Sequence, residues 1–151
     1  MTVPIPSFEI TKEVLDFLVA QRQLNGGEKA GVLMGSEFGD NAYRINKASH
    51  PCLCPNSSLR CGCTRDAGIA NEFIQREYEA SNKTKFYIGE WHTHPEDNPT
   101  PSLVDLRSIK EIAKTGDLPI NAVVLIIVGL KGLYCSCYIN GKFVEIKPNE
   151  V

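Results

Sequence analysis

Apolar residues at positions 14, 15, 18 and 19 fall on one side of a helix with a 3.6-residue period, and the pattern predicts a helix over residues 11–24. Thr11 is its expected N-cap, and Asn25-Gly26-Gly27 should stop it. Two β-rich runs follow, over residues 31–36 and 42–47, joined by a turn around Gly39-Asp40-Asn41. Helical spacing returns over 67–80, with Ile69, Phe73, Ile74 and Tyr78 inward and Asp66 as the cap. Residues 85–94 read as a strand and 102–115 as a third helix. The β-branched run from Ala122 to Val128 reads as a central strand, followed by two more strands. Their turns fall at Gly129–Gly132 and at Asn140-Gly141, a strong hairpin signal. The order is helix, hairpin, helix, strand, helix, meander. It predicts a mixed α/β fold: a mostly antiparallel sheet with about three packed helices.

A chain of 151 residues is expected to form one domain, residues 1–151, with room for a sizeable core. The net charge of −2 gives no basic face to recommend nucleic acid as a partner. No run approaches the length of a transmembrane helix, and the first residues lack the pattern of a signal peptide. The expected location is the cytoplasm, with no membrane partner.

The chemistry concentrates in residues 90–105, Glu-Trp-His-Thr-His-Pro, then 96–101, then Ser-Leu-Val-Asp. His92 and His94 are two apart, so on a strand they share one face. Pro95 cannot donate to a ladder and should end the strand there. Residues 96–101 are turn chemistry, after which Ser102 opens the third helix with Asp105 one turn inside it. A loop folding that turn back would bring Asp105 to the two imidazoles. Two imidazoles and a carboxylate suit zinc and leave a position open for water. An open zinc position generates a hydroxide nucleophile at neutral pH, so the pattern points to a hydrolase. Ser102 with Asp105 is also plain helix-start chemistry, an N-cap serine and an acid at the positive end of the dipole. A hydrolase of this kind needs a group that moves the proton from water to the leaving amine. Glu28, before the strand at 31–36, and Glu90, which shares parity with His92 and His94, are both candidates on spacing alone. Trp91 faces away from His92 by parity and is expected in the core.

The six cysteines fall in three pairs: Cys52/Cys54, Cys61/Cys63 and Cys135/Cys137. Disulfides are not expected in a cytoplasmic protein. Cys52, Cys54, Cys61 and Cys63 are candidates for a second, tetrathiolate zinc site, although the one-residue spacing departs from the usual two to four. The alternative is that Cys61 and Cys63 alternate on a strand and Cys52 and Cys54 lie in a loop. Cys135 and Cys137 share one face of a strand and behave as small apolar residues. Residues 48–63 are a candidate substrate rim.

Glu28 with Gly31 and Gly35, His92-Thr93-His94-Pro95, and Ser102 with Asp105 resemble the JAMM signature of MPN/JAB-domain metallopeptidases. The motif spans residues 28–105, and the whole chain looks like one such domain, whose fold is cytidine-deaminase-like. The resemblance implies that His92, His94 and Asp105 are zinc ligands. It implies that Glu28 is the general base and acid, which settles the choice the spacing left open, and that Ser102 donates to the oxyanion. Residues 86–95, with Thr64-Arg65-Asp66 upstream, are similar to the prokaryotic JAB group. Within it the chain looks like the stand-alone isopeptidases of bacterial anti-phage (CBASS) operons. There a ubiquitin-conjugation-like enzyme attaches a cGAS-like nucleotidyltransferase through its C-terminus, and the JAB protein removes the conjugate. The implied partner is thus a protein joined through its C-terminus to a lysine. A ubiquitin-like or sulfur-carrier protein is the alternative substrate, and a non-catalytic scaffold is the alternative role.

Overall fold

The computed structural model describes residues 2–52 and 67–151. Its elements in chain order are β1 (Ser7–Ile10), α1 (Lys12–Ala20), β2 (Ala30–Gly39), β3 (Ala42–Ala48), α2 (Ala67–Ala80), β4 (Phe86–Thr93), α3 (Leu103–Thr115), β5 (Val123–Val128), β6 (Leu133–Ile139), β7 (Lys142–Glu145) and β8 (Asn149–Glu150). The strands form one sheet in the order β7-β6-β5-β4-β2-β3-β1-β8. Four of its seven pairings are antiparallel, while β4 runs parallel to β5 and β1 runs parallel to both β3 and β8. The predicted mixed, mostly antiparallel sheet with three helices is therefore the observed architecture.

Both faces of the central strands are covered, so β5 is apolar along its whole length. On one face, Val14 and Leu18 of α1 pack against Leu33, Ile45, Ile88, Val124 and Ile126. Trp91 lies fully buried in the same cluster, as its parity predicted. On the other face, Ile109 of α3 packs on Val123, Leu125 and Ile127, and Ala70 of α2 packs near Val32 and Cys52. Gly89 allows β4 and β5 to pair: a Cβ there would overlap the Val124 carbonyl oxygen. The Asn140-Gly141 turn has positive φ at both residues, +54° and +75°, as a tight hairpin of this type requires.

Three departures from the predicted elements have physical causes. Helix α1 stops at Ala20 rather than 24: Gln21 N and Arg22 N turn back to Leu18 O (3.0 Å) and Val19 O (3.2 Å), bonds that tighten the last turn, and Gln23 beyond them points inward to Gly26 O (3.2 Å) and Thr93. Thr11 does cap it, accepting from Val14 N at 3.2 Å. In α2 the buried side is centred on Ala70, so Ile69 is not inward but half exposed. The predicted cap Asp66 lies outside the described residues. Strands β1 and β8 were not expected. Each is short, and they pair with β3 and with each other across most of the chain, so no local pattern marks them.

Candidate active site

The antiparallel register of β2 and β4 sets Ala30 opposite His92 and Val32 opposite Glu90. Thr93 N donates to Lys29 O at 3.0 Å, which carries the pairing one residue past Ala30, and Glu28 follows next along the chain, within electrostatic reach of His94 and His92. His92 also pairs with Ile127 of β5, and His94 N donates to Val128 O at 3.0 Å. The β-ladders therefore hold both imidazoles at the end of the sheet, in residues 9% and 7% exposed.

Loop 95–101 brings the acid to them. Its Glu96 and Asp97 carbonyls accept from Leu130 N (2.7 Å) and Lys131 N (3.0 Å), and Pro99 is buried against the β5–β6 turn. The loop is thus fastened before Ser102 starts α3. Ser102 Oγ accepts from Asp105 N at 3.1 Å, and Asp105 Oδ2 accepts from Ser102 N at 2.8 Å, a closed capping box. The same Oδ2 lies 3.1 Å from His94 Nε2 and 3.2 Å from His92 Nε2. Asp105 therefore closes the capping box and faces both imidazoles with the same oxygen.

The donor set fits zinc. A tetrahedron with metal–ligand bonds of ~2.1 Å has edges of about 3.4 Å, and two edges here measure 3.1 and 3.2 Å. The three ligand atoms all lie within 4.8 Å of one another. His92 Nε2 is buried without a hydrogen bond, because its contact with Asp105 lacks hydrogen-bond geometry; a buried nitrogen facing a shared centre has the form of a ligand atom. At His94, Nδ1 lies 3.0 Å from Glu96 Oε1. A carboxylate there draws the ring proton to Nδ1 and leaves the Nε2 lone pair facing the centre.

The electrostatics favour a positive charge at that point. Burial raises the Asp105 carboxyl pKa, but the two imidazoles and the Ser102 N–H outweigh it and hold the group well below the usual carboxylate range. Asp105 in turn holds His94 above its ordinary value against the opposing effect of burial. Glu28 behaves differently. Burial pushes its carboxyl up, His94 and His92 pull it down, and Asp105 and Glu96 push it up again, for a net rise. Its Oε2 is buried without a hydrogen-bond partner. Glu90, the other candidate, has its Oε2 hydrogen-bonded by the Tyr87 hydroxyl.

The structure thus brings His92, His94 and Asp105 together, within electrostatic reach of Glu28 and with Ser102 at the rim. It is the metal-type cluster among the described residues. Of the second predicted zinc site, Cys54, Cys61 and Cys63 lie outside the described residues. Cys52 is buried, with Sγ 3.8 Å from Ser49 Oγ. Cys135 and Cys137 are unlinked, and burial pushes both thiols up to about 11, as suits packing residues. The sequence reading passed over Thr93, Gln23 and Glu96. Thr93 stood in the motif with no role of its own, Gln23 inside the predicted helix and Glu96 in a turn, and only their partners reveal them. It also missed Leu103 and Val104, which stand 77% and 54% exposed beside Asp105.

Residues 11–138 match the family model described as prokaryotic homologs of the JAB domain. A relative named CD-NTase/cGAS isopeptidase, from Vibrio cholerae, is 33% identical over 129 residues, covering 83% of this chain and 78% of its own. A second of that name, from Escherichia coli, is 30% identical over 145 residues, covering 94% and 88%. A solution structure of a protein from Desulfitobacterium hafniense superposes with a TM-score of 0.62 over 95% of this chain and 92% of that one. At 16% identity that likeness concerns the fold.

Proposed function

The chain belongs to the prokaryotic JAB family, and from that premise we propose that it is a zinc-dependent isopeptidase that cleaves the bond between a protein C-terminus and a lysine amine. The observation that carries this reading is the convergence of His92 Nε2, His94 Nε2 and Asp105 Oδ2 within electrostatic reach of Glu28. The two isopeptidase relatives support a conjugated CD-NTase (a cGAS-like nucleotidyltransferase) as the protein removed, in anti-phage defence. We take residues 1–151 as one catalytic domain working in the cytoplasm.

Zinc, when bound, polarises the scissile carbonyl and acidifies water. His92, His94 and Asp105 would hold it, with Glu96 orienting His94 through Nδ1. Glu28 takes the proton from the attacking water and returns it to the leaving lysine amine. Ser102 Oγ already accepts from Asp105 N, so its own hydrogen is available for the carbonyl oxygen as charge develops there. Leu103 and Val104 offer an apolar shelf beside the centre for the arriving protein tail.

The test is hydrolysis by the zinc-loaded protein of a CD-NTase joined through its C-terminus to a target lysine. Release of both proteins, abolished by chelator and restored by zinc, is the expected result. Preferential cleavage of a ubiquitin-like or sulfur-carrier conjugate would move the substrate and keep the chemistry. Stoichiometric zinc in a folded protein that cleaves none of these would overturn the enzyme reading.

A further inference from the structure

The Glu28 carboxylate is held by no hydrogen bond among the described residues, and one of its oxygens is a buried orphan. Its position is therefore set by its backbone. That backbone belongs to the segment between α1 and β2, which contains Gly26, at φ +80°, and Gly27. Such a segment has little conformational preference of its own. Something outside it has to fix where Glu28 sits.

We propose that Thr93 and Gln23 form a buried clamp that sets Glu28 against the histidine pair, so that both are positioning residues for the hydrolytic step. The inference rests on the isopeptidase reading for its consequence in catalysis, but its geometry stands alone. Thr93 is fully buried and Gln23 is 8% exposed. Thr93 lies between the two histidines, and strand parity turns its side chain to the opposite face of the sheet, towards α1 and the segment that follows it. Its hydroxyl works in both directions. Oγ1 accepts from Lys29 N at 3.0 Å and donates to Gln23 Oε1 at 3.1 Å. Gln23 Nε2 reaches Gly26 O at 3.2 Å. Thr93 N donates to Lys29 O at 3.0 Å. Both backbone polar groups of the residue after Glu28 are thus tied to the residue between the two histidines. The glycine segment is closed over them by Gln23.

The ligand side chains have other supports. His92 is fixed by its pairings with Ala30 and Ile127, and His94 by Val128 and Glu96. Loss of the clamp should therefore displace the proton carrier and leave the metal site intact. A displacement on the order of 1 Å in a reacting group costs roughly 100-fold in rate.

The experiment compares Thr93→Val, Thr93→Ser and Gln23→Met with wild type, with zinc affinity by chelator competition, kcat and KM on the cleaved conjugate, and hydrogen exchange at the Lys29 amide. Thr93→Val keeps the side-chain volume and removes the hydroxyl. It should lower kcat by roughly 10- to 100-fold, leave KM and zinc affinity within about twofold, and deprotect the Lys29 amide. Thr93→Ser should restore kcat and protection together. Gln23→Met, which keeps the Thr93–Lys29 bond, should fall between, and it serves if Thr93→Val folds poorly. Wild-type kcat with a deprotected Lys29 amide would overturn the proposal, and so would zinc lost in parallel with kcat. If the wild type cleaves no conjugate, the isopeptidase reading fails on that result alone. A Lys29 amide that stays protected in Thr93→Val removes the clamp whatever the substrate.

Discussion

Replacing Glu28 by Gln should move activity and stability in different directions. The side chain keeps its size, and Oε2 has no hydrogen bond to lose. What disappears is a carboxylate that burial pushes above its ordinary pKa. A raised folded-state pKa means that the fold disfavours the ionised form. The metal-free wild type therefore loses stability as pH rises from the unfolded glutamate value, about 4.3, through the raised folded value. That loss is complete above it. Glu28→Gln has no such loss. In metal-free protein the melting temperatures of variant and wild type should agree near pH ~4 and diverge in favour of the variant towards neutrality. Activity should go the other way. One group serves both proton transfers, and general acid–base catalysis contributes roughly 10²- to 10⁴-fold. At 1.36 kcal/mol per tenfold that is about 3–5 kcal/mol of barrier. Steady-state cleavage at saturating conjugate, with zinc per chain measured on the same samples, reads the first result. Thermal unfolding across pH reads the second. Activity within tenfold of wild type, at full zinc occupancy, would refute the role given to Glu28. A variant less stable than wild type at neutral pH would refute the electrostatic argument beneath it.

Three further outcomes follow from the same geometry. His92→Ala combined with His94→Ala should take zinc, measured by elemental analysis, from one per chain to none, whereas a fall from two to one would mean that the segment holding Cys54, Cys61 and Cys63 carries a second metal. Glu96→Ala should weaken zinc binding roughly 10- to 100-fold, the usual cost of losing a carboxylate behind a ligating histidine, with Glu96→Gln, still an acceptor for Nδ1–H, closer to wild type in chelator competition. Gly89→Ala puts a methyl group into the Val124 carbonyl, so β4 and β5 must separate, and circular dichroism should show loss of the folded state rather than a small shift in melting temperature.

The sheet and the motif were legible for the same reason. Their signals are periodic or local: the alternation in 85–94, the β-branched run at 123–128, and the histidines two apart on one strand. Strands β1 and β8 carried no such signal, since four- and two-residue strands are defined by partners at the far end of the chain. The early end of α1 was hidden because residues 21–24 are ordinary helix formers, and only the tightened last turn and the inward Gln23 reveal the stop. Ile69 misled because helical spacing fixes a stripe only to within one neighbouring position, and the wall that α2 meets selects Ala70.

The site itself was ambiguous in sequence for a sharper reason. Ser102 and Asp105 have the spacing of a capping box, and a capping box is what they make. Asp105 Oδ2 accepts the Ser102 N–H and faces both histidines with the same oxygen. An acid one turn into a helix is already favoured by the dipole and by the free N–H groups there. The two imidazoles, with the Ser102 N–H behind them, hold the carboxylate's pKa low before any metal arrives, and a deprotonated carboxylate is the form that ligates. Ser102→Ala separates the two roles. The cap loses about 1 kcal/mol, read as a lower melting temperature in metal-free protein. The oxyanion donor loses on the order of 10²- to 10³-fold in kcat. Ser102→Gly is nearly as good an N-cap and should recover most of the stability but none of the rate. If glycine restores both, Ser102 acts only by holding Asp105 in place, and the charge on the scissile carbonyl must be met by other groups.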